Sequence, residues 1–236
     1  MDRFFARVEG KVARISGEEF HHLYRVLHHR VGDVVGVFDG EREYVGRIAS
    51  VNTRDQVAVV EILREVPPLL PPVEVVVAVS PPKGQRLDDL ISRLVEIGVK
   101  RIVPTICERT VRRPKEKKER WERIVLSAVK QSRRTDVPEV LPPMGLEEVL
   151  DRFSDYEGKF AGIIGSTTPI VNVRPERRNI VLIGPEGDFT PKEKEKIRRA
   201  GFLGFSLGRI ILRVETAAVL SAACLLQKAW ATLDVS

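Results

Sequence analysis

This sequence predicts a mixed α/β chain in two parts, a small β domain followed by a parallel α/β domain. Three observations carry the prediction. Between Phe4 and Leu63, short runs alternate apolar and polar residues and are separated by turn residues, as in strands with one buried face. The stretch Pro67-Pro68-Leu69-Leu70-Pro71-Pro72 can continue neither a helix nor a β ladder. Beyond it, unbroken apolar runs alternate with helical patterns, the texture of buried parallel strands and their crossover helices. The expected division is therefore 1–66, a linker at 67–72, and 73–236.

In the first part, Phe4 to Ile15 is strand-like. Ser16 and Glu19 have capping-box spacing, and Phe20, Leu23, Tyr24 and Leu27 then recur at helical spacing. Strands follow at Asp33 to Phe38, Tyr44 to Val51 and Gln56 to Leu63, the first two joined by a turn at Asp39-Gly40. This is the pattern of a small β barrel.

In the second part, Val73 to Val79 is a buried strand by composition. A helix then places Leu87, Leu90, Ile91, Leu94 and Val95 on one face. Further strands are expected at Arg101 to Ile106, Lys159 to Gly165, Asn179 to Gly184 and Phe205 to Leu207. Helices fall between them at Glu119 to Lys130, with Trp121, Ile124, Val125 and Ala128 on one stripe, at Glu147 to Phe153, and at Pro191 to Ala200. The last has Thr190 and Glu193 at capping-box spacing and Pro191 at its first position. The final helix, Thr216 to Trp230, is apolar nearly all round, including Leu225 and Leu226, which predicts a subunit interface.

A chain of 236 residues with 31% charged residues is long enough for one large or two small cores and too rich in strand formers for disorder. Its net charge of +6 is unevenly placed: Arg109 to Arg134 holds eleven basic residues and three acids, +8, leaving 28 basic and 30 acidic residues elsewhere, −2. Such a local excess suits a polyphosphate partner. The alternative is a solvated helix face laced with pairs such as Glu116 with Arg120. Cys107 and Cys224 form no CxxC pair, which points to a reducing cytoplasm. The charged start and the lack of any run near the ~20 apolar residues of a membrane span predict neither export nor a membrane partner.

His21, His22, His28 and His29 are bunched, so a metal pair is geometrically possible. No third ligand stands nearby, and a polar or RNA-facing side of the small domain is the better reading, with no metal. Neither a Walker nor a G-x-G-x-x-G motif is present. Chemistry is left to the last third. Ile180 to Ile183 is an apolar strand running into Gly184-Pro185-Glu186-Gly187, and strand ends of this kind bind ligands in open α/β sheets. A second turn, Ser206 to Thr216, carries apolar Ile210, Ile211 and Leu212, which predicts a buried loop whose backbone needs partners such as an adenine edge. An ordinary strand-turn-helix within a core remains the alternative for either turn alone.

Ile183-Gly184-Pro185-Glu186-Gly187-x-Phe189 and Leu207-Gly208-x-x-Ile211-Leu212-Arg213-x-Glu215-Thr216-Ala217 resemble the signature of the small-subunit ribosomal RNA (uracil-N3)-methyltransferases of the SPOUT superfamily. His22-x-x-Arg25-Val26-Leu27 with Val31-Gly32-Asp33 is similar to that family's PUA-like barrel. Lys83-Gly84, Glu96 to Val99, Pro104, Glu108-Arg109, Gln131-Ser132-x-Arg134 and Pro138-Glu139 extend the likeness over essentially the whole chain. Asp188 stands where the family has a second glycine, and Ile97 where it has leucine.

The resemblance implies a PUA-like β barrel before a SPOUT α/β domain tied in a trefoil knot. It implies an enzyme that uses S-adenosylmethionine to methylate uridine N3 in 16S RNA, as a cytoplasmic homodimer, with the assembled 30S subunit favoured as substrate. By position it places the cofactor against Ser166, Thr167, Gly184, Glu186, Gly187, Leu207, Gly208, Ile210 and Leu212. It places RNA against His22, Arg25, Lys83, Arg112, Arg113, Lys117, Lys118, Gln131 and Arg134. Arg213 and Arg109 are the candidates for stabilising charge on the uracil ring. Glu215 is either a base or a carboxylate that orients Arg213 or caps the last helix. Two alternatives stay open: a non-catalytic RNA-binding protein, and a SPOUT enzyme acting on another RNA.

Overall fold

The computed structural model describes residues 1–82, 86–114, 116 and 119–233. The chain forms two compact units, one of Met1–Leu70 with Val129–Val137, the other of Pro71–Ala128 with Pro138–Ser236.

The first unit contains β1 (Arg3–Phe5), β2 (Arg7–Glu9), β3 (Val12–Ser16), α1 (Gly17–His21), a π-helical turn at His22–Val26, β4 (Val34–Phe38), β5 (Glu43–Asn52) and β6 (Val57–Val66). They make a mixed six-stranded sheet in the order β1-β4-β5-β6-β3-β2, in which only β1 with β4 is parallel. Alternate side chains, among them Phe4, Ile15, Val35, Val37, Ile48, Ala58 and Val60, fill its core together with Phe20 and Leu23. The expected capping box at Ser16 does not form: the Ser16 hydroxyl makes no cap bond. Glu19 instead accepts from the Phe5 amide at 3.1 Å and from Lys130 Nζ at 2.8 Å.

Val129–Val137, which a division at the proline segment leaves in the second part, is tied to this unit by specific bonds. Glu43 grips Arg3 bidentately at 2.8 and 2.9 Å, and Arg3 donates to the Arg134 carbonyl at 3.1 Å. Leu69 N donates to Thr135 Oγ1 at 3.1 Å. Arg134 and Asp136, both buried, form a two-bond ion pair at 2.9 and 2.8 Å.

The second unit contains β7 (Glu74–Val79), α2 (Arg86–Glu96), β8 (Arg101–Ile106), α3 (Glu119–Ser132, whose last turn counts with the first unit), β9 (Glu139–Val140), β10 (Met144–Gly145), α4 (Leu146–Arg152), β11 (Gly158–Gly162), a 3-10 turn at Ile170–Asn172, β12 (Arg178–Ile183), α5 (Pro191–Arg199), β13 (Leu203–Phe205) and α6 (Val214–Leu233). Every strand pair is parallel, in the order β10-β8-β7-β12-β11-β13, with β9 also on β8. β12 therefore enters between β7 and β11, strands already placed by earlier parts of the chain. The two-residue strands β9 and β10 are too short to leave a periodic signal in sequence.

α6 packs on α2, β7 and β12. Ala218, Ser221, Ala222, Leu225, Leu226 and Ala229 form its buried stripe. This corrects the expectation that Leu225 and Leu226 face a second subunit: they are interior to their own unit, and among the described residues the large apolar side chains α6 leaves exposed are Leu220 and Trp230. No helix among the described residues is long and apolar enough to cross a membrane.

Candidate functional site

Because the sheet is parallel, the loops after β7, β8, β11, β12 and β13 leave from one edge, and they do so around the point where β12 is inserted. Such an edge is where open α/β sheets collect ligands.

The turn after β12 is built around Phe189. A Cβ on Gly184 would lie 2.9 to 3.1 Å from three atoms of that buried ring, so only glycine lets the strand end pass it. Asp188 N donates to the Pro185 carbonyl at 2.9 Å, closing the turn. Asp188 itself adopts φ 58°, in the left-handed region that favours glycine. Its carboxylate is paired with Lys194 at 2.5 Å, so the extra negative charge is held within the turn.

The box that begins α5 forms as expected, with Glu193 N donating to Thr190 Oγ1 at 3.3 Å and Thr190 N to Glu193 Oε2 at 2.9 Å. The second Glu193 oxygen accepts from the Glu108 amide at 2.8 Å, joining the loop after β8 to the start of α5. Arg109 reaches from the same loop to donate to the Gly187 carbonyl at 2.5 Å. Behind it, Thr110 Oγ1 accepts from the Cys107 amide and pairs with Ser80 Oγ, each at 2.8 Å. Burial and the nearby Glu193 carboxylate push the Cys107 thiol up to about 12, which makes it an inert packing group.

The loop after β11 is stitched to β13. Ser166 Oγ donates to the Gly204 carbonyl at 2.7 Å, Ser206 N to Thr168 O at 2.8 Å and Ile170 N to Ser206 O at 2.9 Å. Thr167 is exposed beside them. After β13, Gly208 turns at φ 113°, with its amide donating to Ser206 Oγ at 3.2 Å. The expectation of a buried loop fails here: Ile210 and Ile211 are 80% and 78% exposed, while Leu207 and Leu212 are half-buried. Among the described residues, the main-chain amides of Leu207, Arg209, Ile210 and Ile211 have no hydrogen-bond acceptor within the chain. The loop lies at the edge of its unit, so burial of its apolar side chains would have to come from outside the unit.

Arg213 follows, exposed and without an acidic partner among the described residues. Glu215, in the first turn of α6, is largely buried. Arg86 Nη1, at the start of α2, stands 3.7 Å from Glu215 Oε1 and 3.7 Å from Glu186 Oε1. Sequence reasoning missed Arg86, Ser80 and the second bond of Glu193, whose partners are distant in the chain, and Lys194, whose partner Asp188 is brought to it by the turn.

The residues expected to touch RNA are scattered. Arg25 is exposed with its guanidinium 5.7 Å from the Tyr24 ring centre, and His22 sets its ring edgewise to Phe4. Gln131 is exposed and Arg112 half-buried, while Arg113 donates to the carbonyls of Thr110 and Glu108 at 3.2 and 3.0 Å. Arg134 is a correction: its guanidinium is buried against Asp136 and cannot reach a solvent-borne phosphate. Lys83, Lys117 and Lys118 lie outside the described residues. His29 is shared between Asp2 and Asp33 at 2.9 and 3.1 Å, and no group of three metal-ligating side chains occurs among the described residues.

A family model described as an RNA methyltransferase domain matches residues 70–226, and one described as an RNA methyltransferase PUA domain matches 15–62. The ribosomal RNA small subunit methyltransferase E of Bacillus subtilis is 30% identical over 92% of this chain and 93% of its own. The chain belongs to the ribosomal RNA small subunit methyltransferase E family. The Aquifex aeolicus member is likewise 30% identical, over 86% of this chain and 89% of its own. Among solved structures, the family member from Neisseria gonorrhoeae, bound to S-adenosyl methionine, is 30% identical with a TM-score of 0.87, covering 96% of this chain and 97% of its own. A methyltransferase of Legionella pneumophila with bound cofactor is 26% identical with a TM-score of 0.79, covering 98% and 97%. An RNA 2′-O ribose methyltransferase at 11% identity and a TM-score of 0.51 shares the fold alone.

Proposed function

We propose that this chain transfers a methyl group from S-adenosylmethionine to N3 of a uridine in 16S ribosomal RNA. The observation that carries the reading is the pair of turns after β12 and β13, one bearing unpartnered main-chain amides beside apolar side chains, with Arg109 and Arg213 at the same edge. The donor set fits the cofactor. A flat heteroaromatic edge takes main-chain N–H and C=O groups at 207–212, while Ile210 and Leu212 cover its faces. The turn at Gly184 to Gly187 and the Ser166-Thr167 loop offer backbone to the polar remainder. When bound, the cofactor supplies an electrophilic methyl whose S–C bond breaks with the electron pair staying on sulfur.

The chain's own residues do the rest. The imide loses its N3 proton to solvent at the exposed edge, and the negative charge left on the ring faces the free guanidinium of Arg213. Arg109, fixed by the Gly187 carbonyl, holds the second position. Glu215 is engaged by Arg86 and holds the first turn of α6 in place. Arg25, Gln131 and Arg112 position RNA, a second copy of the chain covers Ile210 and Ile211, and the assembled small subunit in the cytoplasm is the substrate.

Mass spectrometry of small-subunit RNA after incubation with enzyme and cofactor should map one methyl to uridine N3. Arg213→Ala should lower methylation about 100-fold or more, the cost of removing a charge-stabilising donor, with cofactor affinity within threefold. Equal losses in both would remove Arg213 from the reaction.

A further inference from the structure

Arg86 is the first described residue of α2. Two carboxylates face it: Nη1 lies 3.7 Å from Glu186, in the turn after β12, and 3.7 Å from Glu215, in the first turn of α6. These acids belong to the two segments that frame the methyl-transfer site, yet they lie far apart in sequence. Without the cation between them, two like charges would face each other across that site.

We propose that Arg86 is a positioning residue of the reaction. It clamps the turn after β12 to the start of α6, so that the backbone groups at 184–187 and 207–212 present themselves to the cofactor as one cradle. This rests on the cofactor site proposed above. Arg86 touches neither reacting group. Its contribution is the separation of the two turns, so its loss falls on cofactor binding and spares the chemical step. Both contacts are single, partly solvated ion pairs with no forked hydrogen bond, so a lysine ammonium can take the place of the guanidinium.

The test uses the full chain. Calorimetric titration with S-adenosylmethionine and steady-state kinetics on small-subunit RNA are run for the parent, Arg86→Ala, Arg86→Lys, Glu215→Gln and the Ala/Gln double variant, with thermal unfolding alongside. Arg86→Ala should raise the cofactor Kd and KM about three- to tenfold with kcat within twofold. Arg86→Lys should recover most of that affinity, and the double variant should lose less than the two single losses multiplied. Parent-like cofactor affinity in Arg86→Ala overturns the proposal, as does an Arg86→Lys that fails like alanine while remaining folded. If Arg86→Ala does not fold, the lysine and Glu215→Gln variants decide by the same criteria. A parent that binds no cofactor refutes the underlying site instead, a result distinct from either.

Discussion

Gly184→Ala separates two reasons for a glycine at the end of β12: close approach of a ligand, or passage of the Phe189 ring. The added methyl would sit 2.9, 3.0 and 3.1 Å from three ring carbons, about 0.5–1 Å inside ordinary carbon contact. Phe189 is buried within the core shared with Ile180, Leu182 and Ile197 and cannot swing away, so the main chain at 184–185 must give. Overpacking of this kind costs about 1–3 kcal/mol, and the alanine returns about 0.4–1 kcal/mol by restricting the unfolded chain. The net, about 1–2 kcal/mol, lowers the melting temperature of the second unit by about 2–8 °C. The turn moves with the main chain, so cofactor affinity measured by calorimetry should fall as well. Adding Phe189→Leu removes the obstructing ring edge. The double variant should then be less destabilised than the two single changes combined and should regain cofactor affinity. A parent-like melting temperature for Gly184→Ala, or strictly additive losses, would refute the packing argument. A double variant that folds well yet stays weak for cofactor would return Gly184 to a ligand contact.

Arg134→Ala should lower the denaturation midpoint of the first unit by an amount equivalent to about 3–5 kcal/mol, because it strands the buried Asp136 carboxylate. An unchanged midpoint with weaker RNA binding would instead make Arg134 an RNA contact. The Cys107 thiol, pushed up to about 12 by burial and by Glu193, is thiolate in only about one molecule in ten thousand at pH 8. Iodoacetamide should therefore leave Cys107 unmodified in the folded protein and alkylate it once denatured, as read by peptide mass spectrometry; rapid labelling of the native protein would contradict its burial.

The two-part texture, the positions of most strands and helices and the Thr190–Glu193 box were legible in the sequence, because periodicity and capping are decided by residues within a few positions of one another. The same locality explains the misreadings. Ser16 and Glu19 have the spacing of a cap, but Glu19 is taken by Phe5 and Lys130. Arg134 counts as one more positive charge in a basic run until Asp136 is seen beside it in the interior. The fingerprint turns were visible, and a resemblance could assign them, while Arg86, which bridges them, carries no local signal.

The sequence by itself therefore determined where most strands and helices lie, where the basic excess sits and which turns resemble the family signature. Tertiary structure alone decided that β12 enters between β7 and β11, that Val129–Val137 docks with the first seventy residues, that Leu225 and Leu226 are interior and that Ile210 and Ile211 are exposed. The physical reason is range. Strand order, burial and ion-pair partners depend on groups brought together by packing from distant parts of the chain, and a local pattern holds no record of which distant group will arrive.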